Sequence, residues 1–152
     1  TQYLSLPTNE NFRAFGQHIR INEKTYQIFF LNDNFHTIEN NQSFWSKGNR
    51  SAELFMVTTK PVKTFTVKLL TKSHRNKISF SIEHKTRRMR LNANQSHTIQ
   101  FKHIEGLQVG KERYIYYIKV GGSKSYCGYY DNPEKDRDRR IIGVKTLIDI
   151  SY

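Results

Sequence analysis

From Ala52 onward, apolar and polar residues alternate with a period of two. Phe65, Val67 and Leu69 alternate with Thr64, Thr66 and Lys68. Ile78, Phe80 and Ile82 alternate with Ser79, Ser81 and Glu83, and Met89 and Leu91 with Arg88 and Arg90. Ile99 and Phe101 then alternate with Thr98, Gln100 and Lys102. This rhythm, broken by short polar stretches, predicts antiparallel strands with one dry face and one wet face. Further strands are predicted at His18–Ile21, Thr25–Leu31 and Glu53–Thr58, the last closed by Lys60-Pro61. Arg113–Val120 has little polar alternation and reads as a central strand buried on both sides, ending at Gly121-Gly122. A closing strand is expected over Ile141–Ile150, broken at Gly143.

Between these elements, Asn22-Glu23 reads as a tight turn and Leu31–Asn34 as strong turn chemistry, because Asn and Asp bond their own backbone. Residues 32–50 read as the longest irregular connection, with Phe44 and Trp45 inside it. Asp131–Arg139 reads as a charged loop, and residues 1–16 as an N-terminal arm. No segment sustains a helical period. The expected fold is all-β: an antiparallel β-sandwich of about eight strands, immunoglobulin-like or jelly-roll-like, formed by residues 17–152 as a single domain, with a barrel as second choice.

Composition agrees with that class. The 152 residues suit one core, and only 36% are hydrophobic, so ten Phe, nine Tyr and one Trp must supply much of the buried volume. No apolar run is long enough to cross a membrane as a helix. One cysteine, Cys127, excludes an intrachain disulfide. The start at Thr1 fits a mature chain or an excised piece alike. Three Asn-x-Ser triplets, at Asn41, Asn49 and Asn94, are expected by chance in a chain so rich in Asn.

Charge adds a more specific expectation. Of the net +12, a charge of +10 lies between Lys60 and Lys102, where eleven Lys or Arg face one acid, Glu83. Lys85–Asn92 alone has four cations in eight residues. If the apolar set faces the core, the opposite face carries Lys68, Lys77, Arg88, Arg90 and Lys102 among Ser, Thr and Gln, with no outward aromatic ring. These five cations are the candidate ligand-binding residues. Three readings stay open: a solvated outer face that blocks edge pairing, a docking surface for an anionic polymer, or contact with a neighbouring domain or subunit.

No catalytic pattern is present, and no enzyme activity is expected. The six histidines form no H-x-H or H-E-x-x-H motif, and a single Cys cannot build a structural zinc site. His97 is expected inward by alternation, as a satisfied core or edge residue. No phosphate cradle is present, and Gly121-Gly122-Ser123 has no helix after it. Cys127 shows no partner base. Asp131–Asp138 gathers oxygen donors of the kind calcium uses, but Lys135, Arg137, Arg139 and Arg140 interleave and favour a self-paired loop. Trp45, beside Phe44 and before Lys47-Gly48, is either a stacking platform or a plug at the open end of the sandwich. No metal and no cofactor are expected.

The order of motifs carries a resemblance. "TYQIFFLNDN" at 25–34, "FWSKGNRSAELFM" at 44–56, "IYYIKVGG" at 115–122 and "DRRIIGV" at 138–144 are similar to a small β-sandwich accessory module at the C-terminal ends of bacterial surface or membrane-associated proteins, over residues 20–150. The resemblance implies an extracytoplasmic, non-catalytic binding role. The Lys-rich middle departs from that pattern. The expected partner is therefore an anionic polymer, a glycan or a partner protein. Alternatives are a nucleic-acid-binding β-domain, or a structural subunit whose arm exchanges as a strand to form an oligomer.

Overall fold

The alternating segments pair into two stacked antiparallel sheets. The computed structural model describes residues 17–21 and 24–152; the arm expected at 1–16 and the turn at Asn22-Glu23 lie outside them. The strands are β1 (Gln17–Ile21), β2 (Lys24–Phe30), β3 (Ser43–Lys47), β4 (Ala52–Thr58), β5 (Thr64–Leu70), β6 (Asn76–Ile82), β7 (Lys85–Leu91), β8 (Ser96–Lys102), β9 (Leu107–Gln108), β10 (Tyr114–Gly122) and β11 (Ile142–Ser151). One short helix, α1, spans Gly128–Asp131. The first sheet has the order β1-β2-β4-β10-β6-β7, with β9 beside β10. The second has the order β3-β11-β5-β8. The fold is thus the β-sandwich that the two-residue rhythm predicts.

Aromatic rings fill the space between the sheets. Phe80 of the first sheet meets Phe101 of the second with ring centroids 5.5 Å apart, and Phe65 meets Tyr116 edge-on at 4.8 Å. Tyr26 and Tyr116, the tyrosines buried in this core, satisfy their hydroxyls. Tyr26 Oη donates to the Ile148 carbonyl at 2.5 Å, and Tyr116 Oη accepts the Val62 amide at 2.9 Å. Burial pushes both phenols above their ordinary range. A polar handle on a large ring lets a lean sequence fill a core without orphaning a donor.

Two expectations are corrected. The connection over 32–50 contains β3, whose Phe44 points into the core while Trp45 points out of the second sheet; with both neighbours apolar, no alternation marks the strand. The closing strand does not break at Gly143: β11 runs for ten residues, with a register shift between Ile142 and Lys145. A Cβ at Gly143 would lie 2.2 Å from the Gly48 carbonyl, so the bulge needs glycine, and Ser46 Oγ takes up the freed Val144 amide at 2.9 Å. The charged stretch Asp131–Arg139 is irregular apart from Asp131, the last residue of α1, and Tyr126 and Ile142, on either side of it in the chain, pack against Trp45.

Candidate basic face and its depression

The five candidate cations do not share one face. β6 pairs with β7 in the first sheet, whereas β5 pairs with β8 in the second. Lys77, Arg88 and Arg90 therefore stand on the outer face of the first sheet, and Lys68 and Lys102 on the outer face of the second. The expected single cationic surface is two surfaces turned away from each other. Each cation does lie on the wet side of its own strand, because alternation sets side but not sheet.

On the first sheet the residues build a recognisable shape. Register places Gly121 beside Ser79 and Ser79 beside Arg88, with Lys77 opposite Arg90 in the next row. Gly121 has no side chain and Ser79 a short one, so the middle of the rows is low and the cations stand around it. The result is an open depression of about 570 Å³, lined by Ser51, Lys77, Ser79, Arg88, Arg90 and Ser123, among others. Arg88 and Arg90, two residues apart on one strand, are spaced by about 7 Å. A Cβ on Gly121 would meet Ser51 Oγ at 2.6 Å and Ser51 Cα at 2.8 Å, so glycine is required where β10 passes the start of β4.

The electrostatics of this depression follow from where Glu83 goes. It is the one acid of the basic stretch, and it occupies the β6–β7 turn at φ 51°. Its amide donates to the Tyr117 carbonyl at 2.8 Å, and its carboxylate accepts the Tyr117 amide at 3.0 Å. Glu83 thus extends the β6–β10 ladder past the end of β6, which offsets its left-handed backbone. Its charge is held by backbone and leaves the neighbouring cations unneutralised. Lys77, Arg88 and Arg90 form no ion pair among the described residues.

The same outer face carries rings that alternation did not reveal. Phe29 sits opposite Phe55, and Phe55 opposite Tyr117, in a half-buried row across β2, β4 and β10. Phe55 and Tyr117 meet edge-on at 6.1 Å. Tyr117 Oη donates to Glu53 Oε1 at 2.5 Å, and burial together with that bond pushes the phenol up to about 12. Lys119 stands between this row and the depression, opposite Glu53 on one side and Ser81 on the other. A signal for the row exists in the sequence: Phe29, Phe55 and Tyr117 each have an apolar residue directly before and directly after them. The burial on both sides expected of β10 is not met: its outer face bears half-buried Ile115 and Tyr117 and exposed Lys119.

Other candidates fall elsewhere. Trp45 is on β3 rather than in a loop, is 6% exposed, and is packed by Tyr126 and Ile142 with Lys145 Nζ 5.8 Å above the ring. Covered in this way, it offers no platform for stacking. His97 pairs with Leu69 on the inward phase, yet is exposed because β8 is an edge strand. Within Asp131–Asp138, Asp138 chelates the Arg140 guanidinium, Asp131 meets His74 at 2.8 Å, and Asp136 accepts the Asp138 amide. No cluster of three or more His, Cys, Asp or Glu suited to a metal occurs among the described residues. No helix among them is long and apolar enough to cross a membrane.

No protein-family model and no curated protein matches this chain. Among solved structures it is similar to the carbohydrate-binding module TmCBM61 in complex with β-1,4-galactotriose, at a TM-score of 0.30 and 14% identity, covering 82% of this chain and 66% of that one. It is similar to Drosophila melanogaster CENP-C bound to CAL1 at a TM-score of 0.29 and 11% identity, over 88% and 76% of the two chains. The Drosophila melanogaster CENP-C cupin domain gives a TM-score of 0.25 and 10% identity, over 95% and 86%. Likeness this slight carries no statement about ligand or partner.

Proposed function

We propose that this domain is a non-catalytic binding module that takes an acidic glycan on the outer face of its first sheet. One observation carries the reading: Lys77, Arg88 and Arg90 surround a low floor at Gly121 with no carboxylate partner among the described residues. A guanidinium binds carboxylate or sulfate through two parallel N–H bonds, and an unpaired one has no internal contact to give up first. The hydroxyls of Ser51, Ser79 and Ser123 can bond sugar hydroxyls, and the half-buried row Phe29, Phe55, Tyr117 lies on the same face of the same sheet. The lining holds no carboxylate, imidazole or thiol, which supports binding over catalysis. An accessory place in a bacterial surface or membrane-associated protein, in an extracytoplasmic setting, belongs to the same proposal and is supported by the sandwich fold together with the motif resemblance.

The test is titration with size-defined sulfated oligosaccharides and, in parallel, a single-stranded oligonucleotide of equal charge, each at low and at physiological ionic strength. The glycan is expected to bind more weakly as salt rises. Removing two exposed charge contacts of about 0.2–1 kcal/mol each, in R88A/R90A, is expected to weaken it by about 2- to 30-fold. No glycan binding, or binding indifferent to R88A/R90A, rejects the proposal. Preference for the oligonucleotide with a steep salt slope would replace it with the nucleic-acid reading, which the four cations of β7 favour.

A further inference from the structure

A second depression of about 460 Å³ opens at the turn from β3 to β4, and Lys47, Arg50, His36, Asn49 and Ser125 are among its lining residues. It too has no carboxylate in its lining. Asp33 stands 3.9 Å from Lys47 Nζ with both side chains exposed, which makes a weak pair. His36 Nε2 is already held on the Ile141 carbonyl at 2.8 Å. Lys47 and Arg50 are therefore the charges on offer.

The two depressions share a rim. Arg50 lines the second and Ser51, the next residue, lines the first; across from them Ser125 lines the second and Ser123 the first. The two rim segments touch. A Cβ on Gly121 would lie 3.0 Å from the Arg50 carbonyl, and one on Gly48 would lie 2.8 Å from Ser125 Oγ. With Gly48, Ser51, Ser123 and Ser125 at the contact, the rim is low. Exposed Lys124 adds another cation to it. The rim is also braced. The Asn32 and Asn34 side-chain amides each donate to the Ser51 carbonyl at 3.0 Å. Asn76, buried, accepts the Lys124 amide at 3.0 Å and donates to its carbonyl at 3.2 Å. A braced rim spares the backbone an ordering cost at binding, and only the side chains that carry the charge have to be ordered.

We infer that the two depressions are one track, and that the ligand is a linear glycan with several anionic groups, long enough to reach Arg88 and Arg90 at one end and Lys47 and Arg50 at the other. This rests on the acidic-glycan reading above. Once the chain is held at the first depression, its contact at the second is intramolecular, so affinity rises with chain length.

The experiment compares a sulfated tetrasaccharide with a sulfated decasaccharide on the wild type, R88A/R90A and K47Q/R50Q. Circular dichroism and thermal melting confirm that each variant is folded, and K47A/R50A serves as a second substitution at the same positions. The decasaccharide is expected to bind the wild type more tightly than the tetrasaccharide does. K47Q/R50Q is expected to lose about 2- to 30-fold for the decasaccharide and to erase most of that length gain, with the tetrasaccharide affinity unchanged. A length gain that survives K47Q/R50Q while R88A/R90A still weakens binding overturns the single track and leaves the glycan reading standing. Equal losses for both lengths in K47Q/R50Q overturn the track as well. No binding of either length by the wild type removes the glycan reading itself, and the track with it.

Discussion

Arg140 ties the segment that covers Trp45 to the second sheet, and its removal makes a quantitative test of that layer. Its Nε and Nη2 donate to Asp138 at 3.0 and 2.8 Å, and its Nη1 donates to Glu39 at 2.9 Å. Lys145 adds a contact to Glu39 at 3.3 Å. The side chains are 38% exposed for Arg140 and about a third for each acid, so solvent screens the charges. R140M keeps an aliphatic stem over the layer and deletes the charge. With the two-toothed Asp138 pair near the top of the range for exposed pairs, the loss is about 1–2 kcal/mol at neutral pH. For a chain of this size that is about 2–8 °C in Tm. The pH dependence gives the sign. The hydrogen bonds from Arg140 hold the Asp138 carboxyl below its usual range; burial pulls Glu39 upward, but bonds from Arg140 and Lys145 outweigh it. Both folded values lie below the unfolded ones. Their contribution is therefore complete above the unfolded carboxyl range near 4, and fades as pH falls through the lower folded values. Melting of wild type and R140M should thus differ at neutral pH and converge in acid. Trp45, the only tryptophan, reports the same event: at neutral pH its emission should move to the red and become open to iodide quenching in R140M. An equal Tm deficit at neutral and acid pH, with unchanged Trp45 emission, would show that Arg140 acts through packing alone and that the ion pairs do not hold the layer down.

Two further substitutions probe the frame. Phe80 is fully buried against Phe101 of the opposite sheet, so F80A is expected to cost about 3–5 kcal/mol in urea unfolding; a loss under about 1 kcal/mol contradicts that cross-sheet contact. G121A puts a methyl 2.6 Å from Ser51 Oγ and 2.8 Å from Ser51 Cα, and is expected to destabilise by about 1–3 kcal/mol while weakening glycan binding at the depression. Unchanged melting and unchanged titration in G121A would mean that β10 does not press on the start of β4.

Much of the frame was legible because each clue was local. Phe65, Val67, Ile78, Phe80 and Phe101 are buried, as the rhythm requires, and Met89 and Ile99 pack against the core from its margin. The facing of side chains was misjudged where neighbouring residues are apolar at both phases. Phe44 and Trp45 face opposite ways and are both covered, the first by the core and the second by Tyr126 and Ile142, which arrive from far along the chain. Phe29, Phe55 and Tyr117 look like core in sequence and prove to be the outer row beside the depression.

The candidate site was half legible for the same reason. Local spacing is enough to put Lys68, Lys77, Arg88, Arg90 and Lys102 on the wet sides of their strands, since successive side chains of an extended chain must point opposite ways. Tertiary structure alone decided that β6 and β7 join β10 while β5 and β8 join β11, which divides those cations between opposed faces. It alone brought Ser51, Gly121 and Ser123 to Lys77, Arg88 and Arg90. Alternation is set by each residue and its next neighbour; strand partnership is set by which distant apolar surfaces bury one another best, and no short stretch of chain contains both halves of that choice.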